Sequence, residues 1–237
     1  MTSPDRVVVV GASGFGRECL DVLEAMAAAG APVEVAGVVD DAPSAVNRER
    51  LAERAVPYLG TVEQWLAGGE PARRYTLGIG SPGVREGLVA RIEAAGASPF
   101  TAIHPSATFG ARVVLGEGLV VCAGVAVSTN VHLGRHVHLN PNATIGHDAV
   151  LGDFVSVNPG AVVSGEVTVG EGTLVGASAT ILQGLTVGGR VVVGAGSVVT
   201  RDVPCTVVTK GVPARWPAVV VAQEREQGRR DERTDLA

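Results

Sequence analysis

The feature that most constrains this chain is a large apolar residue at every sixth position of its second half. The series has no gap, and glycine often follows the apolar residue, as in Leu115-Gly116 and Ile145-Gly146. A period of six fits neither the 3.6-residue repeat of a helix nor a simple two-residue alternation. It fits a solenoid in which each hexad supplies one flat face and a glycine-assisted corner. The positions are Ile103, Phe109, Leu115, Val121, Val127, Leu133, Leu139, Ile145, Leu151, Val157, Val163, Val169, Val175, Ile181, Val187, Val193 and Val199.

Three such hexads make one triangular coil, so residues eighteen apart stack on the same side of the prism. The stretch from Ile103 to Val203 then holds between five and six coils of a parallel β-helix. The alternative is a valine-rich β-sandwich, which would need turn signals every 8–12 residues and no fixed register. The unbroken register favours the β-helix.

The first hundred residues follow a different pattern. A β-branched run, Val7 to Val10, predicts a buried parallel strand that leads into the glycine-rich stretch Gly11 to Gly16. An amphipathic helix follows, and a second strand, Val33 to Val39, ends in Asp40-Asp41. Glycines let backbone amides approach a phosphate at a helix N-terminus, and an acid after the second strand suits a ribose or sugar hydroxyl. The order GxxGxG is not the dinucleotide GxGxxG, so a tight turn without a ligand remains the alternative.

A third strand is predicted at Tyr75 to Ile79, ending in Gly80-Ser81, and a helix at Val84 to Ala95. Val62 to Leu66 resembles a short capped helix, and residues 42 to 74 are otherwise expected to be irregular. This is one mononucleotide-sized half, too small for a full dinucleotide domain, which disfavours a nicotinamide-dependent enzyme.

These patterns predict three parts. Residues 1–102 form a small Rossmann-like α/β domain with a ligand site expected at the glycine turn. Residues 103–221 form the β-helix, with a closing element at Val219 to Gln223. Residues 222–237 form a charged, disordered tail.

Composition excludes several partners. The net charge is −5 and no basic patch is present, which argues against nucleic acid. Cys19, Cys122 and Cys205 lack CxxC spacing, so a reducing compartment is expected. The N-terminus lacks a basic signal region and no long apolar run follows, so we expect a soluble, cytoplasmic protein without a membrane span. No metal is expected.

The histidines divide into two groups. Those at positions 104, 132, 136 and 138 lie off the apolar series, and we expect them on a solvated outer face. His147 is followed by Asp148, whose carboxylate can accept the Nδ1 proton and fix the tautomer. Thr129 and Gly165 stack on either side of His147, and Gly165 leaves room for a substrate and exposes an amide for an oxyanion. Asn140 and Asn158 also stack, either as donors near the site or as a structural ladder.

Four stretches carry a family resemblance. Gly11 to Gly16 resembles a GASGHG turn, and Val39-Asp40-Asp41 an acidic pair. Ile145 to Asp148 resembles an I-x-H-[DE] hexad, and Gly211 to Arg215 a terminal GVPA-[KR]. Together with the hexad repeat, they resemble the bacterial sugar-nucleotide N-acetyltransferases of 4-amino sugars, of the bacillosamine and perosamine type, which are related to the sialic acid O-acetyltransferases.

The resemblance implies a left-handed β-helix and an acetyl-CoA-dependent acetyltransferase that needs no acyl-enzyme. His147 would be the general base and Asp148 its orienting partner. The CoA site would include Ser156, Gly165, Ala177, Ala195, Lys210 and Arg215. The nucleotide-sugar site would include Ser13, Gly14, Phe15, Asp40, Asp41, Gly80, Ser81 and Asn140. The resemblance also implies a homotrimer with the active site between subunits.

One departure bears on the acceptor. Phe15 stands where the family's turn often has histidine, and phenylalanine cannot donate a hydrogen bond, so the acceptor stays open between a nucleotide sugar and another amino-sugar metabolite. The rival functions are O-acetylation of a sugar hydroxyl, a zinc hydratase of the γ-class carbonic anhydrase type, and a non-enzymatic scaffold. The histidine spacing disfavours the hydratase, and the His147-Asp148 pair disfavours the scaffold.

Overall fold

The N-terminal part of the chain forms a parallel sheet with the strand order β2-β1-β3-β4. The computed structural model describes residues 4–68 and 73–217. Because β1 has neighbours on both sides, the order reverses between β1 and β3, and a crevice opens there at the carboxyl ends of the strands. The elements of this part are β1 (Asp5–Val10), α1 (Gly14–Ala28), β2 (Val33–Val39), α2 (Ala45–Glu53), α3 (Val62–Ala67), β3 (Arg74–Leu77), α4 (Pro82–Ala94) and β4 (Ser98–Pro99).

The predicted strands and helices of this part are confirmed with small shifts of their ends, but α2 lies in a stretch predicted to be irregular. Only Leu51 of α2 is buried, so no apolar periodicity marks this helix. Its one local signal is the Ser44 side chain, which accepts a hydrogen bond from the Asn47 amide. The predicted cap on α3 is a full capping box between Thr61 and Gln64.

Three glycines let α1 pack directly on the sheet. A Cβ placed on Gly16 would overlap the carbonyl oxygen of Gly11, and one on Gly78 would overlap the Cα of Gly16. Gly11 also has a φ of 112°, which favours glycine. The glycine turn therefore serves helix–strand packing and brings the start of α1 close to the ends of β1 and β3.

From residue 102 the chain winds into the left-handed parallel β-helix that the resemblance implied. Face 1 is the sheet of β5, β8, β11, β14, β17, β20 and β22, face 2 that of β6, β9, β12, β15, β18 and β21, and face 3 that of β7, β10, β13, β16 and β19. The strands are β5 (Ala102–Ile103), β6 (Thr108–Phe109), β7 (Val114–Leu115), β8 (Val120–Val121), β9 (Ala126–Val127), β10 (His132–Leu133), β11 (His138–Leu139), β12 (Thr144–Ile145), β13 (Val150–Leu151), β14 (Ser156–Val157), β15 (Val162–Val163), β16 (Thr168–Val169), β17 (Leu174–Val175), β18 (Thr180–Ile181), β19 (Thr186–Val187), β20 (Val192–Val193), β21 (Val198–Val199) and β22 (Val208–Thr209).

The apolar series fills the prism as predicted, except at its open first end. From Val121 to Val199 every member is at most 3% exposed, whereas Leu115 is 41% exposed. A second inward series, which the sequence analysis missed, precedes each of these residues by two positions. It contains the buried residues Leu119, Val125, Val131, Val137, Ala143, Ala149, Val155, Ala161, Val167, Thr173, Ala179, Val191 and Ser197.

The corners use glycine differently from our prediction. From Phe109 to Val193 a left-handed backbone falls three residues after each apolar position, and only some of these residues are glycine; Asn130, Asp148 and Phe154 have a φ of about 58–59° there. The glycine that directly follows the apolar residue is required for coil stacking, since a Cβ on Gly116 would lie 2.6 Å from the carbonyl carbon of Gly134. Close approach of successive coils, and not backbone freedom, explains those glycines.

The α/β part packs on face 1 of the β-helix. Val120 and Cys122 share an apolar cluster with Leu20 and Phe100. At the other end, β22 pairs with β20, and Lys210 and Arg215 form an antiparallel bridge. The predicted closing element at Val219 to Gln223 and the charged tail lie outside the described residues. No helix among the residues that the structure describes is long and apolar enough to cross a membrane.

Candidate active site

His147 and Asp148 form the paired group that the sequence predicted. The Nδ1 of His147 lies 2.7 Å from Oδ2 of Asp148, and both side chains are about half exposed, at 57% and 45%. Because Nδ1 faces a carboxylate, the tautomer with the proton on Nδ1 is favoured, which leaves Nε2 as a free acceptor. A solvent-exposed imidazole in this state is suited to accept a proton from a substrate.

Asn130 completes this group and was not among the site residues predicted from the sequence. Its Nδ2 donates to Oδ1 of Asp148 at 3.0 Å. The hydrogen bonds from His147 and Asn130 hold the pKa of Asp148 below its ordinary value. Asn130 lies one coil, 18 residues, before Asp148, so the stacking rule that we applied to His147 would have found it if applied to Asp148.

Gly165 lies directly beneath the His147 ring, in agreement with the predicted stack. A Cβ on Gly165 would lie 2.5 Å from Nε2 of His147. The Gly165 carbonyl accepts a hydrogen bond from the Gly184 amide, and among the described residues the Gly165 amide has no acceptor. The free imidazole nitrogen and an unpaired backbone amide therefore lie side by side.

This group occupies the edge of the prism where faces 2 and 3 meet, which we call edge 2/3. His147 follows β12 of face 2 and precedes β13 of face 3. In a triangular prism this edge is opposite face 1, which carries the α/β part. Within one chain, His147 and the crevice at the ends of β1 and β3 thus lie on opposite sides of the β-helix.

Several predicted cofactor and substrate residues lie on another edge, where faces 1 and 2 meet. Asn140, Ala177 and Ala195 each follow a face 1 strand on this edge 1/2. Lys210 follows β22 of face 1 and lies over Gly194 on the same edge, and its backbone forms the antiparallel bridge with Arg215. Ala195, Lys210 and Arg215 are exposed. Face 2 separates these residues from His147 in the same chain.

Asn140 forms the ladder that was one of its two predicted roles. Its Nδ2 donates to the carbonyl oxygen of Val157 at 3.1 Å and to Oδ1 of Asn158 at 3.4 Å. Asn140 is 8% exposed. Its side-chain amide is therefore largely used within the chain, and its predicted contact with the substrate stays a prediction.

The acidic pair borders a cavity of about 260 Å³ next to the glycine turn. Its lining includes Gly11, Asp40, Asp41, Val62 and Ile79. The Asp40 carboxylate accepts from the amides of Ala12 and Ala42 at 2.8 and 2.9 Å. Asp40 thus ties the end of β2 to the glycine turn.

Asp41 has a structural partner as well. Its Oδ1 accepts from the Val62 amide at the start of α3, and its Oδ2 lies 3.1 Å from Arg91. The hydrogen bond from Val62 lowers the pKa of Asp41. Both acids therefore have structural partners at the crevice, and their predicted contact with a substrate stays a prediction.

Gly80 and Ser81 are exposed at the end of β3 and line a second cavity, of about 530 Å³, between α4 and the β-helix. Glu86, Leu174 and Arg190 line its other walls. Across the crevice, Ser13 and Gly14 are exposed at the start of α1, and the Ser13 side chain makes no capping hydrogen bond. The predicted substrate residues at the carboxyl ends of the strands therefore border two cavities, Asp40 and Asp41 the smaller one and Gly80 and Ser81 the larger one, whereas Asn140 and Phe15 lie elsewhere.

Phe15 and Ser156 face the interface between the two parts of the chain. The Phe15 ring lies 5.0 Å from the ring of His138. Ser156 is 1% exposed, and its Oγ accepts a hydrogen bond from Arg85 at 3.0 Å. In this chain the Ser156 side chain is engaged in the domain contact, and its predicted role toward CoA stays a prediction.

The solvated outer face predicted for His136 and His138 is wrong. His136 is 0% and His138 1% exposed, and among the described residues neither ring nitrogen of either one has a hydrogen-bond partner, although Nε2 of His136 lies 3.6 Å from Oε1 of Glu93. The α/β part covers them, with Tyr75 and Phe154 stacked on the two sides of His136. Burial lowers the pKa of both histidines. His132 is exposed and His104 partly exposed.

No group of three or more histidine, cysteine or acidic side chains in the described part of the chain has an arrangement that could hold a metal ion.

Comparisons with known proteins agree with this architecture. Residues 6–92 match the PglD N-terminal domain, residues 130–165 the bacterial transferase hexapeptide and residues 166–201 the hexapeptide repeat of succinyl-transferase. A GDP-perosamine N-acetyltransferase from Escherichia coli is 30% identical over 82 residues, which is 35% of this chain and 37% of that relative.

Two solved structures match almost the whole chain. PerB from Caulobacter crescentus, in complex with CoA and GDP-perosamine, is 33% identical, with a TM-score of 0.80 over 90% of this chain and 97% of that chain. The acetyltransferase domain of PglB from Neisseria gonorrhoeae, in complex with acetyl coenzyme A, is 30% identical, with a TM-score of 0.77 over 91% and 100%. The chain therefore belongs to the family of bacterial sugar-nucleotide N-acetyltransferases of the perosamine and bacillosamine type, which join a PglD N-terminal domain to a hexapeptide-repeat β-helix.

Proposed function

We propose that this protein transfers the acetyl group of acetyl-CoA to the amine of a nucleotide-linked amino sugar, with His147 as the general base. The observation that carries the proposal is the exposed His147–Asp148 pair, whose free Nε2 lies over Gly165. The structures of two relatives of this protein contain CoA and GDP-perosamine or acetyl-CoA. These complexes support the same class of substrates for this chain.

The neutral sugar amine attacks the thioester carbonyl carbon directly. As the C–N bond forms, the amine proton passes to Nε2 of His147, and the imidazolium is stabilised by Asp148. The Gly165 amide donates to the oxyanion of the tetrahedral intermediate. The C–S bond then breaks, and the proton on His147 passes to the leaving sulfur, which gives CoA and the acetamido sugar. No nucleophilic side chain is needed.

The arrangement of the edges supports a homotrimer with shared sites. The proposed nucleotide-sugar crevice lies on the face 1 side, and Ala177, Ala195, Lys210 and Arg215 lie on edge 1/2, whereas His147 lies on edge 2/3. A threefold assembly that sets edge 2/3 of one chain against edge 1/2 of the next joins all three groups. Lys210 and Arg215 are then placed to meet CoA phosphates.

The test is a panel of UDP-, dTDP- and GDP-linked amino sugars incubated with the full chain and acetyl-CoA, with release of free CoA as the readout. We expect turnover with at least one amino sugar and none with its 4-hydroxy counterpart. Acetylation of the hydroxyl compound would identify the O-acetyltransferase alternative. No CoA release with any of these compounds would contradict the proposal. Light scattering that gave an active monomer would contradict the shared site.

A further inference from the structure

Arg85 is a buried cation at the contact between α4 and the β-helix. It is 0% exposed, and no carboxylate among the described residues pairs with it. Its hydrogen bonds go to oxygen atoms without a formal charge, and burial lowers the pKa of the guanidinium only to about 10, so it stays charged at neutral pH. A buried charge of this kind is costly unless its donors are used, and four of the five acceptors of Arg85 lie within 3.1 Å, whereas its Nε has no partner among the described residues.

The contacts of Arg85 join two separate parts of the molecule. Its NH1 donates to the carbonyl oxygens of Ile79 and Gly80, each at 3.1 Å. The same nitrogen lies 3.0 Å from Oγ of Ser156, and NH2 donates to the carbonyl oxygen of Phe154 at 2.6 Å. The guanidinium therefore holds the loop after β3 against face 1 of the β-helix.

These contacts fix where the amides of the loop point. In a trans peptide the C=O and N–H groups point in opposite directions, and the peptides of this loop are trans. Because the carbonyls of Ile79 and Gly80 face Arg85, the N–H groups of Gly80 and Ser81 face away from it. Neither amide has an acceptor among the described residues, both residues are exposed, and a Cβ on Gly80 would meet open space.

Gly80 and Ser81 of this loop line the larger cavity between α4 and the β-helix, and Ile79 lines the cavity beside the glycine turn, where the strand order of the sheet reverses. Open parallel sheets bind ligands at this point, and successive backbone amides that point the same way form a site for anionic oxygens. We propose that Arg85 is a positioning residue that turns the amides of Gly80 and Ser81 into the crevice, where they bind the diphosphate of the nucleotide sugar. The inference rests on the proposed function for its ligand, since the acceptor is taken to be nucleotide-linked.

The experiment is calorimetric titration of the full chain with GDP, UDP and, in a separate arm, CoA. We expect Arg85→Met to raise the Kd of the nucleoside diphosphate that binds by about tenfold or more, because two amide donors lose their orientation. The Kd for CoA should stay within about twofold. CoA also contains a diphosphate. The CoA arm therefore shows whether the loss of affinity is confined to the diphosphate of the nucleotide.

Arg135→Gln is the matched control. Arg135 pairs with Glu93 of α4 at 2.7 Å across the same domain contact, but it does not contact the loop. We expect this variant to bind the nucleoside diphosphate like the parent chain. An equal loss in both variants would mean that Arg85 only stabilises the domain contact, and would overturn the inference.

A second pair of variants tests the amides even if Arg85→Met fails to fold. Ser81 has a φ of −76°, which proline adopts without strain. Ser81→Pro removes one N–H group, whereas Ser81→Ala keeps it, so the proline variant should bind the diphosphate about tenfold more weakly than the alanine variant. Equal affinities would overturn the inference.

The result also separates this inference from the proposed function. A parent chain that binds GDP or UDP through these amides but acetylates no amino sugar contradicts the function alone. A chain that acetylates an amino sugar and binds its diphosphate equally well with and without Arg85 contradicts the inference alone. A parent chain that binds neither diphosphate contradicts the inference.

Discussion

His138 and His147 are nine positions apart on the same regular scaffold, yet their surroundings are opposite. His147 lies on an open edge, with one nitrogen paired to a carboxylate and the other free. His138 lies on face 1, buried by the α/β part, and neither of its ring nitrogens has a hydrogen-bond partner in the described part of the chain. The repeat determines which residues point out of the prism. The docking of a second domain determines which of the outward residues meet solvent.

The largest effect is expected at the open edge. His147→Ala should lower turnover by about 10²–10⁴, the usual contribution of a positioned general base. Acetyl-CoA affinity should be retained, because backbone and small residues form most of the proposed groove. Steady-state kinetics and a separate CoA titration would measure both. His104→Ala, at a histidine outside the site, is the control, and near-parental turnover of His147→Ala would refute the proposed role.

A somewhat smaller effect is expected from the glycine beneath the ring. In Gly165→Ala the new methyl group would displace the imidazole, and a misplacement of about 1 Å can lower a rate by about 10²-fold. The thermal midpoint should change little, since the ring is exposed. Gly189→Ala is the matched control, because Gly189 occupies the same position of its hexad on another edge and its methyl group would meet only atoms of Glu171, the nearest being the carbonyl oxygen at 3.3 Å. Equal turnover of the two variants would contradict the proposed geometry.

The buried face should respond to pH through stability. Burial lowers the pKa of His136 and His138, so below about pH 6.5 the unfolded chain binds protons that the folded chain does not. The free energy of unfolding should then fall by up to about 1.4 kcal/mol per pH unit for each histidine. His138→Phe keeps a ring beside Phe15 and should remove the larger part of this slope, because burial lowers the pKa of His138 further than that of His136. Denaturant unfolding between pH 7 and 5 measures it, with exposed His132→Phe as the control that keeps the parental slope.

The smallest effect is expected at the residue that holds Asp148. Asn130→Gly removes the amide but keeps a residue that adopts the positive φ of this corner. Loss of one hydrogen bond to Asp148 should lower turnover about three- to tenfold. Steady-state kinetics of Asn130→Gly and His147→Ala would test whether the loss of turnover is smaller in Asn130→Gly. An equally large loss would mean that Asn130 has a more direct role.

The sequence allowed the β-helix and the His147–Gly165 stack to be predicted because both follow from one register. The position of Asn130 follows from the same register. It was missed only because the 18-residue stacking rule was not applied to Asp148. The buried state of His136 and His138 and the contacts of Arg85 could not be predicted in this way. They depend on how two parts of the chain dock, and no periodic pattern records such a contact. Helix α2 was missed for a related reason, since a single buried leucine leaves no periodicity.

The eighteen-residue stacking has a consequence for changes in chain length. Removing one complete coil from between two sites shortens the prism but returns every later residue to the same edge. Removing a single hexad instead turns all later residues by a third of a revolution. A hexad lost between His147 and Gly165 would carry the glycine to a different edge and separate the base from its neighbouring amide. The β-helix can therefore lengthen or shorten in whole coils without loss of an edge-based site, whereas a change of one hexad within the site dismantles it.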